Sequence, residues 1–360
     1  MTNEPDDEGA TCVHVDDGEI LEVGPARTAD GERRRVSGTL LPGLVDLQCN
    51  GAAGRGVDEG SAEALDAIAA GVWAGGAAAF LPTLITAPFE ELLGRLEQVA
   101  AWIEARPTGG ATPLGIHLEG PFLQAPGTHD ADLFIDPTSA RVDAILGAAA
   151  GHLSLITLAP DRPGAPEAIA RLRAAGVAVA LGHGEGVEQL EACISAGASM
   201  VTHLFNAMGP LHHRSPGFAG LALDDERLMC SLIPDGVHVH ESMLRNAYRC
   251  LGPARTILVT DAVAAAAMPD GDYELAGAPV QLRDGVVRDQ RGRLAGSVLT
   301  MAEAARRWTR MVPSTDACAL AQLASTNPAR VIGAASHGEI AAGRAARFCA
   351  LAADGTVTAL

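Results

Sequence analysis

The chain has 360 residues, which is enough for one large domain or for a large domain with a small one. Apolar residues make up 48% of the sequence and aromatic residues only 3%, a composition that favours helices packed on a parallel sheet over an aromatic-rich β-sandwich. The formal net charge of −18 argues against a nucleic-acid partner, because phosphate backbones bind basic surfaces, whereas local Arg and His residues can still bind a small anion.

Both ends of the chain have the pattern of short strands separated by turns. Neither end is long enough to form a core alone, so we predict that residues 1–41 and 337–360 pair into one small β domain. Residues 42–336 would then form the main domain. The predicted terminal strands are Thr11–Val15, Glu19–Val23, Arg35–Leu40, Gly338–Ile340, Arg347–Leu351 and Thr356–Leu360.

The main domain alternates short apolar runs with longer helical patterns, which is typical of repeated βα units. Eight strands over about 300 residues match an α/β fold, the (β/α)8 TIM barrel. Residues 277–296 have a hairpin-like pattern and are interpreted as an insertion. The predicted strands are Gly43–Leu47, Ala77–Thr83, Leu114–Leu118, Leu153–Leu158, Val177–Leu181, Met200–Thr202, Met229–Ile233 and Thr256–Thr260. The predicted helices are Ala62–Ala74, Phe89–Glu104, Ala165–Ala175, Val187–Ala196, Ser242–Leu251 and Leu299–Met311.

Functional residues of such a barrel lie at the carboxyl ends of its strands. Five of the last six predicted strands are followed by a side chain of the kind that binds metals or transfers protons. Only Leu153–Leu158, which Ala159-Pro160 follows, has no such residue at its immediate end. The five features are Glu119, His183, His203, the Asp235–His238 segment and Asp261.

Three of these residues form a plausible metal-binding set. Glu119, His183 and His203 provide one carboxylate and two imidazoles, a common set for a catalytic zinc-type site with a position open for water. Water bound there can ionise near neutral pH and attack a polarised carbonyl. Asp261 is suited to take a proton from that water and deliver it to the leaving group. The pattern therefore predicts a metal-dependent hydrolase.

Each of these residues also has a purely structural interpretation. A strand-end histidine is more often hydrogen-bonded within the fold than bound to a metal. Glu119 alone could be a charge at a helix N-terminus, and Asp261 could be a helix N-cap. Taken together on one face of a barrel, these interpretations become improbable.

Other motifs carry less weight. Residues 182–186 have the glycines of a phosphate-binding loop but match neither nucleotide fingerprint. The segment His212-His213-Arg214 fits a solvated loop as well as an anion-binding element. His240 precedes a helical stretch and is interpreted as structural.

The seven cysteines are scattered and form no CxxC pair, so neither a disulfide framework nor a thiolate zinc site is indicated. Residues 1–9 are acidic and lack an apolar core, unlike a signal peptide. No uninterrupted apolar run has the length of a membrane span. We therefore expect a cytoplasmic protein with no membrane partner.

Several blocks of sequence occur in a recognisable order, namely Pro42–Gly51, His117–Phe122, Gly127–His129, His203, Asp235–His238, Val259–Ala262, Leu294–Ser297 and Asn327–Gly333. They resemble the amidohydrolase superfamily and, within it, the N-acetylglucosamine-6-phosphate deacetylase family. The resemblance covers nearly the whole chain, which makes it more specific than any one motif. It implies a (β/α)8 TIM barrel with a small β-sandwich domain formed by the two chain termini.

The resemblance implies hydrolysis of the acetamide of N-acetylglucosamine 6-phosphate to glucosamine 6-phosphate and acetate. Glu119, His183 and His203 look like ligands of a divalent metal, most suitably Zn²⁺, although Fe²⁺, Mn²⁺ or Co²⁺ would accept them. Asp261 looks like the catalytic acid and base. The implied substrate-binding residues are Gln48, Thr128, His129, Asn206, Ala207, Arg214, His238, Leu294, Ala295 and Gly296.

Two of these residues bear on assembly. Arg214 and His238 are similar to the residues that hold the polar end and the 6-phosphate of the substrate in this family. Because such contacts can come from the neighbouring subunit, the resemblance implies a homodimer.

Many amidohydrolases carry His-x-His after the first strand to bind a second metal, whereas this chain has Gln48-Cys49-Asn50. An amide is a poor ligand beside imidazole, and the sequence contains no lysine that could form a bridging carbamate. We therefore predict one divalent metal in each subunit, with Gln48 near the water or the vacant second position.

Two alternative functions fit the same motifs. One is deacetylation of a related substrate, such as N-acetylgalactosamine 6-phosphate or an N-acyl amino acid. The other is a non-catalytic, amidohydrolase-like binding protein, although binding alone would not require the proton shuttle Asp261.

Overall fold

Eight parallel strands form the centre of the molecule, and each strand pairs with the next one along the chain. The computed structural model, which describes residues 11–25, 32 and 34–360, confirms the predicted TIM barrel. The barrel strands are Leu44–Cys49, Ala77–Ile85, Ile116–Glu119, Leu153–Leu158, Ala178–Leu181, Met200–Val201, Met229–Leu232 and Thr256–Leu258.

Hydrogen bonds just beyond the regular strand ends join the first barrel strand to the last. Cys49 and Ala262 form a parallel bridge, and the amide of Asn50 donates to the carbonyl oxygen of Ala262 at 2.7 Å. The Asp46 carboxylate accepts hydrogen bonds from the amide and the hydroxyl of Thr260. These contacts close the barrel and bring the residues that follow its last strand next to the first strand.

Helices lie outside the barrel, and several begin at a side chain that caps the first turn. Ser61, Thr138, Thr300 and Asp316 each accept a hydrogen bond from the backbone amide three residues further into the helix. Among the described residues, no helix is both long enough and apolar enough to cross a membrane. The helices are Ala62–Ala74, Phe89–Glu104, Ser139–Ala148, Ala165–Ala174, Leu190–Ser195, Gly217–Asp224, Glu241–Arg255, Met301–Met311, Ala317–Ala321 and Asn327–Val331.

All six predicted helices are present, but three helical segments were not predicted. Ser139–Ala148 and Gly217–Asp224 are short, and the second follows Pro216 and contains two glycines, which have low helix propensity. Residues 317–331 form a continuous helical segment that widens to a π-helix over Gln322–Thr326 and contains a proline in its last part. Proline has no amide donor, so the sequence pattern of a regular helix is broken there.

The core is built mainly from small aliphatic side chains. Ala78 on the second strand lies so near Gly43 that a Cβ atom on the glycine would be 2.4 Å from the Cβ of the alanine. The largest fully buried side chains include Trp308, Phe80 and Phe122. The core is therefore filled by backbones that approach closely and by aliphatic side chains, with few aromatic rings, as the composition predicted.

The two ends of the chain meet in a small β domain beside the barrel. The carboxyl-terminal strand Phe348–Leu351 pairs antiparallel with Thr39–Pro42. The amide of Ile20 donates to the carbonyl oxygen of Arg344 at 2.8 Å, which joins the amino-terminal hairpin to the same end of the molecule. The terminal strands are Thr11–Asp16, Glu19–Pro25, Thr39–Pro42, Phe348–Leu351 and Val357–Ala359.

The predicted strand Gly338–Ile340 is wrong, because these residues lie in a loop. Gly338 has a φ of 88°, which turns the backbone out of the extended conformation. The division of the chain at residues 41 and 337 stays a prediction. Its amino-terminal residues 1–10, and residues 26–31 and 33, lie outside the described part of the chain.

The insertion after the last barrel strand begins earlier than residue 277. It has three antiparallel strands, Gly271–Leu275, Ala278–Arg283 and Val286–Asp289. Its apolar side chains form a small core of their own with Val263 and Ala295. The first strand is only five residues long and has two apolar side chains, Tyr273 and Leu275, which is too short a pattern to be recognised without its partners.

Candidate active site

Glu119, His183, His203 and Asp261 come together at the carboxyl end of the barrel. Glu119 is the last residue of the third strand, and the other three follow the fifth, sixth and eighth strands within three residues. The Glu119, His183 and His203 side chains are buried, with at most 4% of each residue exposed. The structure therefore brings together the four residues that their positions in the sequence had singled out.

The three predicted ligands present their donor atoms to one point. Glu119 Oε1 lies 2.9 Å from His203 Nε2 and 3.3 Å from His183 Nε2. The two Nε2 atoms are 3.1 Å apart. Donor atoms that surround a tetrahedral zinc ion at about 2.0–2.1 Å are separated by roughly 3.3 Å, so the three separations fit such an ion.

The protonation of the cluster also suits a cation. His183 Nδ1 donates to the carbonyl oxygen of Ala125 at 2.8 Å, which leaves its Nε2 lone pair directed at the cluster. Burial lowers the pKa of His183 to about 4, so its imidazole is neutral at neutral pH. Burial opposes ionisation of Glu119, but its contacts with the surrounding histidines, His129 and His203 among them, hold its pKa well below the usual value. Burial also opposes protonation of His203, but the hydrogen bond to the Glu119 carboxylate raises the pKa of that imidazole. The ionised Glu119 carboxylate thus faces the neutral Nε2 of His183.

His129 lies at the edge of the same cluster. Donor atoms of Glu119, His129 and His183 all lie within 4.8 Å of one another. His129 Nε2 is 3.7 Å from Glu119 Oε2, farther than His203 Nε2 is from Oε1, and its Nδ1 bonds the hydroxyl of Thr86 at 3.0 Å. We therefore favour His203 over His129 as the third ligand, as the sequence predicted.

Asp261 stands beside the cluster with one of its oxygens engaged. Oδ1 accepts hydrogen bonds from Gln48 Nε2 at 3.1 Å and from Asn50 Nδ2 at 2.9 Å. Burial, together with the negative charge of Glu119, raises the pKa of Asp261 to about 6. A carboxyl group with this pKa can both accept and donate a proton near neutral pH.

Gln48 links the two carboxylates. Its Nε2 donates to Glu119 Oε1 and to Asp261 Oδ1, each at 3.1 Å. Gln48 stands where many amidohydrolases have the first histidine of the His-x-His pair. Its side chain thus offers a hydrogen-bond donor between the carboxylates, where a histidine would offer a metal ligand. This arrangement supports the prediction of a single metal in each subunit.

A cavity of about 320 Å³ opens above these residues. His238 reaches it with its Nδ1 held by Asp235 Oδ2 at 2.6 Å, which leaves Nε2 for a ligand. The predicted substrate-binding residues that line the cavity are Thr128, His129, Asn206, Ala207, His238, Leu294 and Gly296.

Three predicted substrate-binding residues are not among those that line the cavity. Gln48 is buried and donates to both carboxylates, and Ala295 is fully buried in the small core of the insertion. Arg214 is exposed, on a loop near His212. Within this chain, the cavity therefore receives no guanidinium from Arg214.

One cationic residue of the cavity was missed. Arg293, from the loop after the last strand of the insertion, lines the cavity and donates from Nη1 to the carbonyl oxygen of Gly127. Its Nε bonds Asp289 Oδ2 at 2.7 Å. No strand-end rule applies to a residue of an insertion, so sequence reasoning had no signal that pointed to Arg293.

Comparisons with known proteins identify the family to which this chain belongs. A model of the amidohydrolase family matches residues 39–359. The N-acetylgalactosamine-6-phosphate deacetylase of Escherichia coli O157:H7 is 36% identical over 324 residues, which cover 89% of this chain and 85% of that protein. The N-acetylglucosamine-6-phosphate deacetylase of Vibrio furnissii is 35% identical over 324 residues, which cover 88% of this chain and 79% of that protein.

Solved structures are similar over almost the whole chain. A mutant of the N-acetyl-D-glucosamine-6-phosphate deacetylase of Mycobacterium smegmatis, in complex with N-acetyl-D-glucosamine-6-phosphate, has a TM-score of 0.90 at 35% identity, covering 97% of this chain and 92% of that one. The enzyme of Thermotoga maritima has a TM-score of 0.87 at 27% identity, with the same coverage of 97% and 92%. The family model covers most of the chain, and the relative from Escherichia coli O157:H7 matches 89% of it, so the chain belongs to the amidohydrolase family.

Proposed function

We propose that this protein hydrolyses the acetamide of N-acetylglucosamine 6-phosphate to glucosamine 6-phosphate and acetate. The observation that carries the proposal is the convergence of Glu119, His183 and His203 within 3.3 Å, beside the Asp261 carboxylate and under an open cavity. Relatives at 35% and 36% identity are named as deacetylases of amino-sugar phosphates, which supports the same chemistry.

One divalent metal in each subunit, foremost Zn²⁺, would be held by Glu119, His183 and His203. Fe²⁺, Mn²⁺ and Co²⁺ accept the same nitrogen and oxygen donors. Such a cation polarises an amide carbonyl and promotes the ionisation of water.

Asp261 performs both proton transfers. Because Gln48 and Asn50 already donate to its Oδ1, its Oδ2 is the oxygen left to take a proton from the attacking water. The water oxygen forms a bond to the acetyl carbon, and its proton passes to Asp261. The same proton then moves to the amide nitrogen as the C–N bond breaks, which releases the amine and acetic acid. The acid then passes its remaining proton to the amine or to water, which gives acetate.

The sugar is bound by residues of the cavity wall. His129, whose Nδ1 is held by Thr86, presents its Nε2 beside Glu119, where the acetyl group must lie. Asn206 donates from Nδ2 to the carbonyl oxygen of His203 at 3.1 Å, which leaves its Oδ1 to accept from a sugar hydroxyl. His238 would hold the 6-phosphate.

A homodimer is part of the proposal. Arg214 is exposed and does not line the cavity of its own chain, so its guanidinium would serve the phosphate site of a partner subunit. The cytoplasmic location stays a prediction.

A second substrate, N-acetylgalactosamine 6-phosphate, is favoured by a specific observation. The relative at 36% identity from Escherichia coli O157:H7 is named for that sugar. The two sugars differ only in the configuration of one hydroxyl, which a hydrogen bond such as that of Asn206 can discriminate.

Acetate release from a panel of substrates tests these proposals. The panel contains both N-acetylhexosamine 6-phosphates, their unphosphorylated forms and an N-acetyl amino acid, and the metal content of the same sample is measured. We expect kcat/KM to be highest for a phosphorylated sugar, with one equivalent of metal per chain. Preference for the N-acyl amino acid, or no turnover of any substrate by the metal-loaded protein, would contradict the proposed function.

A further inference from the structure

The fourth barrel strand, Leu153–Leu158, contributes no predicted ligand, but the loop after it contacts the surroundings of His183. Asp161 and Arg162 lie in this loop, three and four residues beyond the strand end. The Oδ1 atom of Asp161 is buried and has no hydrogen-bond partner among the described residues, whereas Arg162 Nε forms an ion pair with Asp136 Oδ1 at 3.4 Å. A carboxylate oxygen that is buried without a partner costs free energy, so the other contacts of Asp161 must offset this cost.

Asp161 holds the backbone that follows His183. Its Oδ2 accepts hydrogen bonds from the amide of Gly186 at 2.8 Å and from the amide of Glu185 at 3.2 Å. Its Oδ1 packs against Gly184 so closely that a Cβ atom there would lie 2.6 Å away. The carboxylate therefore fixes the three residues that come directly after His183.

Arg162 acts on the opposite side of the same histidine. Its Nη1 donates to Gln124 Oε1 at 2.9 Å. The amides of Gln124 and Ala125 both donate to the carbonyl oxygen of His183, at 2.9 and 2.7 Å. The carbonyl oxygen of Ala125 in turn accepts from His183 Nδ1 at 2.8 Å, the bond that directs Nε2 towards the cluster.

Asp161 therefore holds residues 184–186, and Arg162 holds Gln124, so the two side chains contact both segments that orient His183. Its backbone is in the left-handed region, with a φ of 51°, a conformation that persists only where the surrounding contacts enforce it. We propose that Asp161 and Arg162 are positioning residues for His183 and set how tightly the site binds its cation. The inference rests on the proposed function only in taking His183 as a metal ligand.

Partners that orient a ligating histidine typically contribute 10- to 100-fold to metal affinity. Zn²⁺ affinity is measured on the full chain by competition with a chromophoric chelator, for the variants Asp161→Ala, Arg162→Ala and Gln124→Ala. We expect each variant to bind Zn²⁺ at least about tenfold more weakly. Asp143→Ala, which removes an exposed carboxylate paired with Arg171, is the matched control and should bind as the native chain does.

Two further readouts separate positioning from a loss of fold. The visible absorption of bound Co²⁺ reports ligand geometry, so it should change in the three variants while the melting temperature of the metal-free chain stays close to that of the control. Asp161→Asn keeps one oxygen that can accept from the amide of Gly186, so it should restore most of the affinity that Asp161→Ala loses.

The outcomes distinguish this inference from the metal site itself. His183→Ala should abolish Zn²⁺ binding, and a variant that still bound it with native affinity would overturn the proposed ligand set. If His183→Ala loses Zn²⁺ but the Asp161 and Arg162 variants keep native affinity and the native Co²⁺ spectrum, only the positioning role is wrong. Weakened binding that merely parallels a lowered melting temperature would also overturn it.

Discussion

His183, His203 and Asp261 share an unusual backbone conformation, with φ values of 51°, 30° and 50°. Positive φ is costly for residues other than glycine and is enforced by the contacts of the surrounding fold. At each of these positions the chain leaves a strand and turns sharply, so that the side chain points into the mouth of the barrel. At the scale of single residues, the site therefore depends on strained backbone conformations, which aim the side chains, as much as on which residues are present.

Asp261→Asn tests the proton shuttle. The amide keeps the size of the side chain but cannot take a proton from water, so kcat should fall at least about 100-fold. Metal content should stay near one equivalent, because Asp261 is not one of the three proposed ligands. Acetate release and metal analysis on the same sample measure both quantities. Asp130→Asn, a change at an exposed helix cap, serves as the control, and a native rate in Asp261→Asn would refute the mechanism.

At the scale of elements, the insertion matters because it reaches the cavity. Arg293 ties the end of the insertion, through Asp289, to the carbonyl oxygen of Gly127, next to Thr128 and His129. A segment with its own small core is thereby connected to the substrate wall.

Arg293→Ala should make the cavity wall at Gly127–His129 less ordered and so weaken substrate binding. A hydrogen bond to a charged group contributes about 1.5–3 kcal/mol, and Arg293 is partly exposed, so a rise in KM of about tenfold is expected, with a smaller effect on kcat. Steady-state kinetics on the preferred sugar phosphate measure this. Arg291→Ala removes a neighbouring exposed arginine and should be silent. An unchanged KM in Arg293→Ala would show that the link does not shape the cavity.

The free energy of unfolding depends on pH through Asp46, whose carboxyl group helps to close the barrel. Burial raises the pKa of Asp46 from 3.8 to about 6, although hydrogen bonds from Thr260 and the Gln48 amide oppose the shift. The folded state therefore holds its proton more tightly than the unfolded chain. The resulting penalty on stability is absent below pH 3.8, grows as the pH rises and is complete above about 6.

Asp46→Asn removes this titration and keeps an oxygen that can accept from the Thr260 amide. Between about pH 5 and pH 7, the free energy of unfolding of Asp46→Asn should rise relative to that of the native chain by about 1 kcal/mol. Urea unfolding at several pH values measures the difference, with Asp143→Asn as a surface control. Parallel pH profiles of Asp46→Asn and the native chain would contradict the role given to Asp46.

At the scale of the whole molecule, the proposed homodimer would bring Arg214 of one subunit to the phosphate site of the other. The proposed homodimer predicts complementation between two chains that are each defective. One chain carries Arg214→Ala and the other Asp261→Asn, so a hybrid dimer has one site with an intact Asp261 and an Arg214 from its partner.

Mixing and refolding the two chains should restore up to about a quarter of native kcat/KM, the share of complete sites among random dimers. Light scattering on the native chain should give the mass of a dimer. A monomeric mass, or no recovery although hybrid dimers form, would place Arg214 outside the partner's site.

The sequence by itself determined the barrel and the four central residues. Alternating apolar and helical patterns are local properties, and the position just after a strand is local too, so Glu119, His183, His203 and Asp261 could be singled out from neighbouring residues alone. Their individual roles and those of the substrate-binding residues stay predictions, because a strand-end position identifies a side chain that reaches the site but not the bond it makes there.

Only the tertiary structure decided which distant groups support the site. Arg293 meets Gly127 across 166 residues, and Arg162 meets Gln124 across 38. The same is true of the closure of the barrel by Asp46 and Thr260, which are 214 residues apart. Such contacts depend on how loops fold over the end of the barrel, and no periodicity or spacing in the chain encodes which loops will meet.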